Sequence, residues 1–165
     1  MSIRTSDLCD QFSDQVVICT TAFQSYGIKK AFTGKISTVK IYSNDNQIFM
    51  EAIEQVTPGT VLVLDGAHNL APCAWMGDRK AGIAASRGVT GIIINGLVRD
   101  IEGLAYLDIG VLALGSHPLS SRFVKKEQRG VRDVILDFGN VDWVPGHYVY
   151  ADQDGVVISE KELSV

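Results

Sequence analysis

The sequence predicts an α/β or α+β chain built on a mixed sheet, and three observations carry that expectation. Short apolar, β-branched runs recur at Val61 to Leu64, Gly91 to Gly96 and Gly110 to Gly115. Helical patterning fills the gap between the first two, and strand, helix, strand is the order that yields parallel strands joined by a right-handed crossover. The run Tyr148 to Ser159 (YVYADQDGVVIS) reads as two β segments around Gln153-Asp154-Gly155, a hairpin signal that demands antiparallel pairing. No linker, low-complexity stretch or internal repeat interrupts the chain, so residues 1–165 are expected to form one compact domain.

The elements follow in order. Thr5 to Cys9 (TSDLC) has the look of a capped helix start, with Ser6 or Asp7 placed to accept from exposed amides. Lys35 to Tyr42 alternates apolar and polar residues rich in β-branched types, the pattern of a half-buried strand. Asn46 to Val56 puts Ile48, Phe49, Ala52, Ile53 and Val56 on one helical face, and Thr57-Pro58-Gly59 closes it. Val61 to Leu64 is a buried strand ending at Asp65-Gly66. A second helix is expected over Ala74 to Arg87, where Ala81, Ala84 and Ala85 allow close packing and Gly88 supplies a terminator. Gly91 to Gly96, Gly110 to Gly115 and Val134 to Phe138 read as further strands.

Composition narrows the function classes. A chain of 165 residues can hide about 70% of its unfolded surface. With 46% hydrophobic and 21% charged residues it is an ordinary globular chain, and 16 glycines forecast many tight turns. The net charge is −4, and the one basic patch, Arg122 to Arg132, is diluted by Glu127 and reads as a solvated loop or helix end. Direct nucleic-acid binding is therefore not expected. No signal-type apolar core opens the sequence and no 18 apolar residues run together, so no membrane association and a cytoplasmic location are expected. Cys9, Cys19 and Cys73 form neither an even disulfide set nor a CxxC pair and read as free, mostly buried thiols.

The chemistry-bearing stretch is Trp75 to Gly103. Ligands of open α/β sheets gather beyond the carboxyl ends of strands, where helix N-termini present unpaired amides. Arg99 and Asp100 stand just past the end of the GIIING strand, and Gly77-Asp78 stands near the start of the preceding helix. The ordinary explanation is a helix cap at Asp78 and a solvated turn at Arg99-Asp100. The spacing argues for more: Asp78, twenty intervening residues, then Arg99-Asp100.

That pattern, with GIIINGLVRD around its end, resembles the DX20RD motif of the RraA-like family. The family includes class II 4-hydroxy-4-methyl-2-oxoglutarate aldolases and the ribonuclease E regulator RraA. TSDLCD, AFTGKISTVK, GTVLVLDG, LDIGVLALGSHP and YADQDGVVIS all resemble family landmarks in family order. The resemblance implies a swivelling β/β/α fold in a homotrimer, with active sites between subunits. It further implies retro-aldol release of pyruvate from a small keto-acid substrate, with oxaloacetate decarboxylation as a companion activity through the same enolate. In this reading Asp100 ligates a divalent cation, and Mg²⁺ or Mn²⁺ suits a site without His/Cys clusters. The amides of Gly77, Asp78, Arg79 and Lys80 hold the pyruvyl carboxylate. Arg99 contacts substrate and favours the developing oxyanion, while Asp78 orients Arg99 and neighbouring water.

Two departures stand out. Arg79-Lys80 replaces the apolar residues that commonly follow Gly-Asp in the aldolases, which could alter substrate size or set a cation at the mouth. Gly146-His147 stands where the family has Gly-Asp; His147, His68 and His117 read first as structural, as do Trp75 and Trp143. The regulator branch is the alternative, with a ribonuclease E-type protein as partner. An intact Asp and Arg-Asp set tilts toward catalysis. A methyltransferase is set aside because no Gly-rich nucleotide loop follows the first strand.

Overall fold

In the computed structural model of the chain, residues 3–42, 46–66, 73–121 and 130–164 are described. Their elements run α1 (Thr5–Gln11), β1 (Val16–Ile18), β2 (Gln24–Ser25), β3 (Phe32–Lys40), α2 (Asn46–Glu54), β4 (Thr60–Asp65), β5 (Ala74–Met76) and α3 (Asp78–Ser86). The second half runs β6 (Gly91–Val98), α4 (Ile101–Leu104), β7 (Gly110–Ser116), β8 (Val131–Arg132), β9 (Leu136–Phe138), β10 (Val141–Trp143), β11 (Tyr148–Ala151) and β12 (Val156–Ser159).

The main sheet has the order β1-β12-β11-β3-β4-β6-β7-β2, with β5 added to β6 and β8 to β3. The steps β3-β4, β4-β6 and β6-β7 are parallel, whereas β1, β12, β11 and β3 pair antiparallel in succession. The mixed sheet is thus a parallel centre flanked by the terminal hairpin.

Period-two alternation sets the two cores. Leu62 and Leu64 of β4 and Ile92 and Ile94 of β6 join Phe49, Ile53, Ala81 and Ala84 beneath helices α2 and α3. The intervening Val61, Val63 and Ile93 face the other way, onto Leu136, Val141 and Trp143 of the separate β9-β10 hairpin. Strands buried on both faces read as continuous apolar runs, which is why GTVLVLD and GIIING lack visible alternation. The layers are therefore hairpin, main sheet and helices, the β/β/α arrangement.

The sequence reading is corrected at several ends. The third strand begins at Phe32 rather than Lys35, because Phe32, Thr33 and Gly34 pair with Ala151, Tyr150 and Val149 of a strand remote in sequence. Val134 and Ile135 precede their strand, with Ile135 exposed. The largest correction is Ala74 to Met76, expected as helix and folded as β5. Strand β4 ends at Asp65, so the continuing edge of β6 needs backbone partners, and β5 supplies them: Ala74 faces Leu97 and Met76 faces Val98.

Helix α1 also departs. Ser6 and Asp7 lie inside it, and the residue before it, Arg4, gives no side-chain cap. The missing acceptor comes from the hairpin turn. The Asp152 carboxylate accepts from the Thr5 amide and the Thr5 hydroxyl, each at 2.7 Å, and from the Asp154 and Gly155 amides. Burial pushes this carboxyl up, but those hydrogen bonds outweigh it and hold it below the ordinary value of 3.8. A depressed carboxylate stabilises the fold above its unfolded pKa and loses that contribution as pH falls through the folded value. Asp152→Asn is expected to lower stability by about 1–3 kcal/mol in urea unfolding at neutral pH. The gap to the parent should narrow once the pH is taken below 3.8; a gap that is constant across this range would show that the carboxylate charge contributes nothing.

Candidate functional site

The site is assembled where β6 leaves the sheet. The Arg99 amide donates to the Met76 carbonyl at 2.9 Å, carrying the β5-β6 pairing one residue beyond the strand. The chain then turns sharply: Asp100 has φ 56° and ψ 45°, a left-handed conformation that Asp tolerates better than most non-glycine residues. Its carbonyl accepts from the Leu104 amide at 2.9 Å, opening α4, while its carboxylate forms no cap hydrogen bond. That carboxylate is therefore directed elsewhere, and it lies against Gly77. A Cβ on residue 77 would overlap the Asp100 carboxylate as it stands, so glycine is what lets that carboxylate lie this near.

A second contact mirrors the first. The Asp78 carboxylate packs where a Cβ on Gly103 of α4 would sit. Each helix start thus offers a glycine to the other's aspartate, fixing α3 against the Arg99-Asp100 turn. Asp78 is the first residue of α3, behind an extended Gly77 that has no side chain to cap the helix. Its charge still favours the helix N-terminus. Among the described residues no ion pair joins Asp78 to Arg99, so the expected orienting role is not made by direct pairing. The partner of Arg99 is Asp100, Nε to Oδ2 at 3.6 Å, with side chains 33% and 44% exposed. At that length the pair is loose, which leaves both groups able to engage a ligand.

Arg99 and Asp100 line a cleft of about 190 Å³ with Met76, Gly77, Arg79 and Lys80, closed on the other side by Ser120 and Ser121. The two serines were not anticipated; Ser120 reaches the cleft because it bridges to Ala74 of β5, a tertiary pairing without a local signature. A second cleft, about 220 Å³, meets the same Arg99-Asp100 pair from the side of Ile101, Ser116 and His117. Arg79 is exposed, whereas Lys80 is half-buried, its Nζ 3.4 Å from the Trp75 carbonyl and 5.4 Å over the Phe49 ring. Burial, and then the positive charge of Arg99, pull the Lys80 ammonium from 10.5 down to about 8.

A larger cleft, about 700 Å³, lies elsewhere and shares none of these residues. Asp14, Asp137, Asp142 and Glu160 line it, together with His147, and that acidic wall suits an anionic ligand poorly. We therefore place the candidate site at the smaller, cationic cleft. The His117 Nδ1 accepts the Leu119 amide at 3.1 Å in a local turn. His68 and residues 122–129 of the basic patch lie outside the described residues; Arg132 donates to Gln55 Oε1 at 2.9 Å from β8. Trp75 and Trp143 are buried in the cores, and Cys19 and Cys73 are buried thiols whose pKa burial pushes up.

A three-layer β/β/α protein with an Arg-Asp pair at a strand's carboxyl end, facing a helix N-terminus, is the class these features define. The chain belongs to the RraA-like family, whose model (Aldolase/RraA) matches residues 5–158. It is 48% identical over 160 residues to a Bacillus cereus protein provisionally named 4-hydroxy-4-methyl-2-oxoglutarate aldolase, covering 97% of this chain and 98% of that one. An Aromatoleum aromaticum protein with the same provisional name is 42% identical, covering 99% of both chains. These relatives carry the name of a carbon–carbon lyase, the enzyme class toward which the sequence leans. Among solved structures, a Geobacillus kaustophilus protein described as an S-adenosylmethionine:2-dimethylmenaquinone methyltransferase superposes with TM-score 0.90 at 50% identity, covering 98% of this chain and 97% of that one. The RNA-processing inhibitor RraA from Thermus thermophilis superposes with TM-score 0.89 at 33% identity, covering 99% and 96%. No described helix is long and apolar enough to cross a membrane.

The Lys80 shift yields a stability prediction. A lysine whose pKa falls on folding is protonated in both states below about pH 8, so its penalty is constant there; between about 8 and 10.5 only the unfolded chain holds the proton, and rising pH favours folding. Relative to Lys80→Met, the parent should therefore gain thermal stability as pH is raised from 8 to 10.5, measured by unfolding at a series of pH values. A difference in Tm that stays flat over this window would sink the assignment.

Proposed function

We propose that the chain is a divalent-metal-dependent aldolase that cleaves 4-hydroxy-4-methyl-2-oxoglutarate to pyruvate, with oxaloacetate decarboxylation as a side activity through the same pyruvate enolate. The observation that carries this reading is the Arg99-Asp100 pair held at the α3 N-terminus by the Gly77 contact.

The residues present fit a hard cation. Among the described residues no three His, Cys, Asp or Glu side chains gather as a metal cage. One partly exposed carboxylate, Asp100, faces the cleft, and Mg²⁺ or Mn²⁺ is commonly held by one or two carboxylates with water and substrate oxygens completing the shell. The bound ion supplies Lewis-acid charge to the keto acid. The chain's own residues do the rest. The first amides of α3, from Gly77 to Lys80, precede the first intrahelical donor, Ala81, and would bind the pyruvyl carboxylate. Arg99, always charged and forked, holds the keto oxygen as it gains negative charge when the bond to the departing carbon breaks. Asp78, packed on Gly103, fixes the helix start that carries these amides. In a homotrimer a neighbouring subunit would complete the cleft, and the exposed apolar side chains of Ile101 and Leu119 beside it are surface such a neighbour could cover.

A second reading is supported by the likeness to the Thermus inhibitor: a protein regulator that binds a ribonuclease E-type enzyme. The likeness to a structure described as a methyltransferase carries less weight, since no Gly-rich nucleotide loop follows the first strand.

A coupled pyruvate assay separates these readings. The purified protein should release pyruvate from 4-hydroxy-4-methyl-2-oxoglutarate and from oxaloacetate with Mg²⁺ or Mn²⁺, and chelation should stop it. Arg99→Ala and Asp100→Ala should each lower kcat/KM by about 10²-fold or more. Inactivity toward both substrates, with binding to a ribonuclease E-type enzyme, would transfer the case to the regulator.

A further inference from the structure

Strand β6 leaves the sheet between two neighbours, and the pairing on each side runs one residue past the strands. On one side the Arg99 amide donates to the Met76 carbonyl. On the other the His117 amide donates to the Val98 carbonyl at 2.9 Å, continuing the parallel register that ends at Val98 and Ser116. His117 is therefore fixed beside the Arg99-Asp100 turn by its backbone, from β7 rather than from α3. Its side chain lines the side cleft of about 220 Å³, which reaches Arg99 and Asp100 past Ile101 and Pro118. The Arg99-Asp100 pair thus borders two clefts, one on the α3 side and one on the His117 side.

The imidazole is oriented as well as placed. Its Nδ1 accepts the Leu119 amide at 3.1 Å, so the ring proton of the neutral imidazole sits on Nε2. Pro118 keeps residue 117 out of helical conformations, and the side chain is half-buried. Among the described residues nothing pairs with Nε2. The side cleft therefore offers an oriented N–H donor next to the reactive pair, with apolar walls at Ile101 and Pro118.

We infer that the side cleft takes the half of the substrate that departs, and that His117 is a catalytic residue whose Nε2–H holds the oxygen on which that half's carbonyl forms. The inference rests on the proposed aldolase reading and divides its site in two. In that reading the pyruvyl half lies on the α3 side, which leaves the His117 side for the carbon beyond the scissile bond. As the C4 hydroxyl gives its proton to solvent, its oxygen becomes an alkoxide. The C3–C4 bond then breaks, its electron pair passes into the enolate of the retained pyruvyl half, and the alkoxide oxygen becomes the new carbonyl; the enolate afterwards takes a proton from water. A positioned N–H stabilises that alkoxide. Oxaloacetate sets the contrast: its departing carboxylate leaves as neutral CO₂, so a donor on it stabilises the ground state and gives no help to bond breaking.

The test compares pyruvate release from 4-hydroxy-4-methyl-2-oxoglutarate and from oxaloacetate, each with Mg²⁺, alongside urea unfolding. Asparagine presents an oxygen where Nδ1 stands, and glutamine an N–H where Nε2 stands. His117→Asn should unfold with the parent, lower kcat/KM for the aldol substrate about 10²-fold and leave oxaloacetate within about threefold. His117→Gln should recover about tenfold of the loss on the aldol substrate. Ile101→Phe, at a position 41% exposed and so tolerant of bulk, narrows the side cleft and should raise KM for the aldol substrate alone. Equal losses on both substrates, no loss in His117→Asn, or a parent that decarboxylates oxaloacetate but leaves the aldol substrate whole overturns the inference. The first two outcomes leave the aldolase reading standing, whereas a parent inactive toward both substrates fails that reading and the inference with it.

Discussion

Two aspartate-glycine contacts between α3 and α4 hold the candidate site together. The Asp100 carboxylate occupies the space over Gly77, and the Asp78 carboxylate occupies the space over Gly103. The Asp100 carboxylate is not spent on capping α4 by a hydrogen bond. The turn is built from both sides: the Arg99 amide donates to the Met76 carbonyl, and Asp100 adopts a left-handed backbone with its carboxylate over Gly77. A methyl added at residue 77 would force the Asp100 carboxylate to shift from its place. Pre-positioning of charge is what an oxyanion-stabilising site requires, and rigid strand and helix ends provide it.

Electrostatics then decide among the clefts. The acidic groove along β1 and the β9-β10 hairpin is larger than the cleft at Arg99, yet its carboxylates disfavour an anionic ligand. The smaller cleft combines the N-terminus of α3, a guanidinium and a half-buried ammonium, and a negatively charged ligand is favoured by all three. The lowered pKa of Lys80 reflects the same environment: burial and then Arg99 both penalise the extra proton.

Much of the fold was visible in the linear pattern. Val61 to Leu64 and the GIIING strand lie where apolar runs bounded by Gly and Asp indicated, and Ile48, Phe49, Ala52 and Ile53 face the core as their helical spacing required. The hairpin around Gln153-Asp154-Gly155 formed where its turn residues pointed. Failures fell where partners are distant. Ala74 to Met76 became a strand because β6 outruns β4, and α1 is capped by Asp152, 147 residues from Thr5. Short strands such as β2 and β8 exist only through pairing with β7 and β3, and no local propensity announces them.

The sequence by itself determined the β/α alternation, the antiparallel terminal hairpin, the family to which the chain belongs and the Asp78, Arg99 and Asp100 triplet, because periodicity, turn chemistry and fixed spacing are written along the chain. Tertiary structure alone decided that Asp100 faces Gly77 while Asp78 faces Gly103, that Ser120 and Ser121 wall the cleft, and that Lys80 sits half-buried beside Arg99. Those facts depend on which elements pack against which, and a side chain's surroundings and charge environment come into being only when residues remote in sequence are brought within a few ångströms.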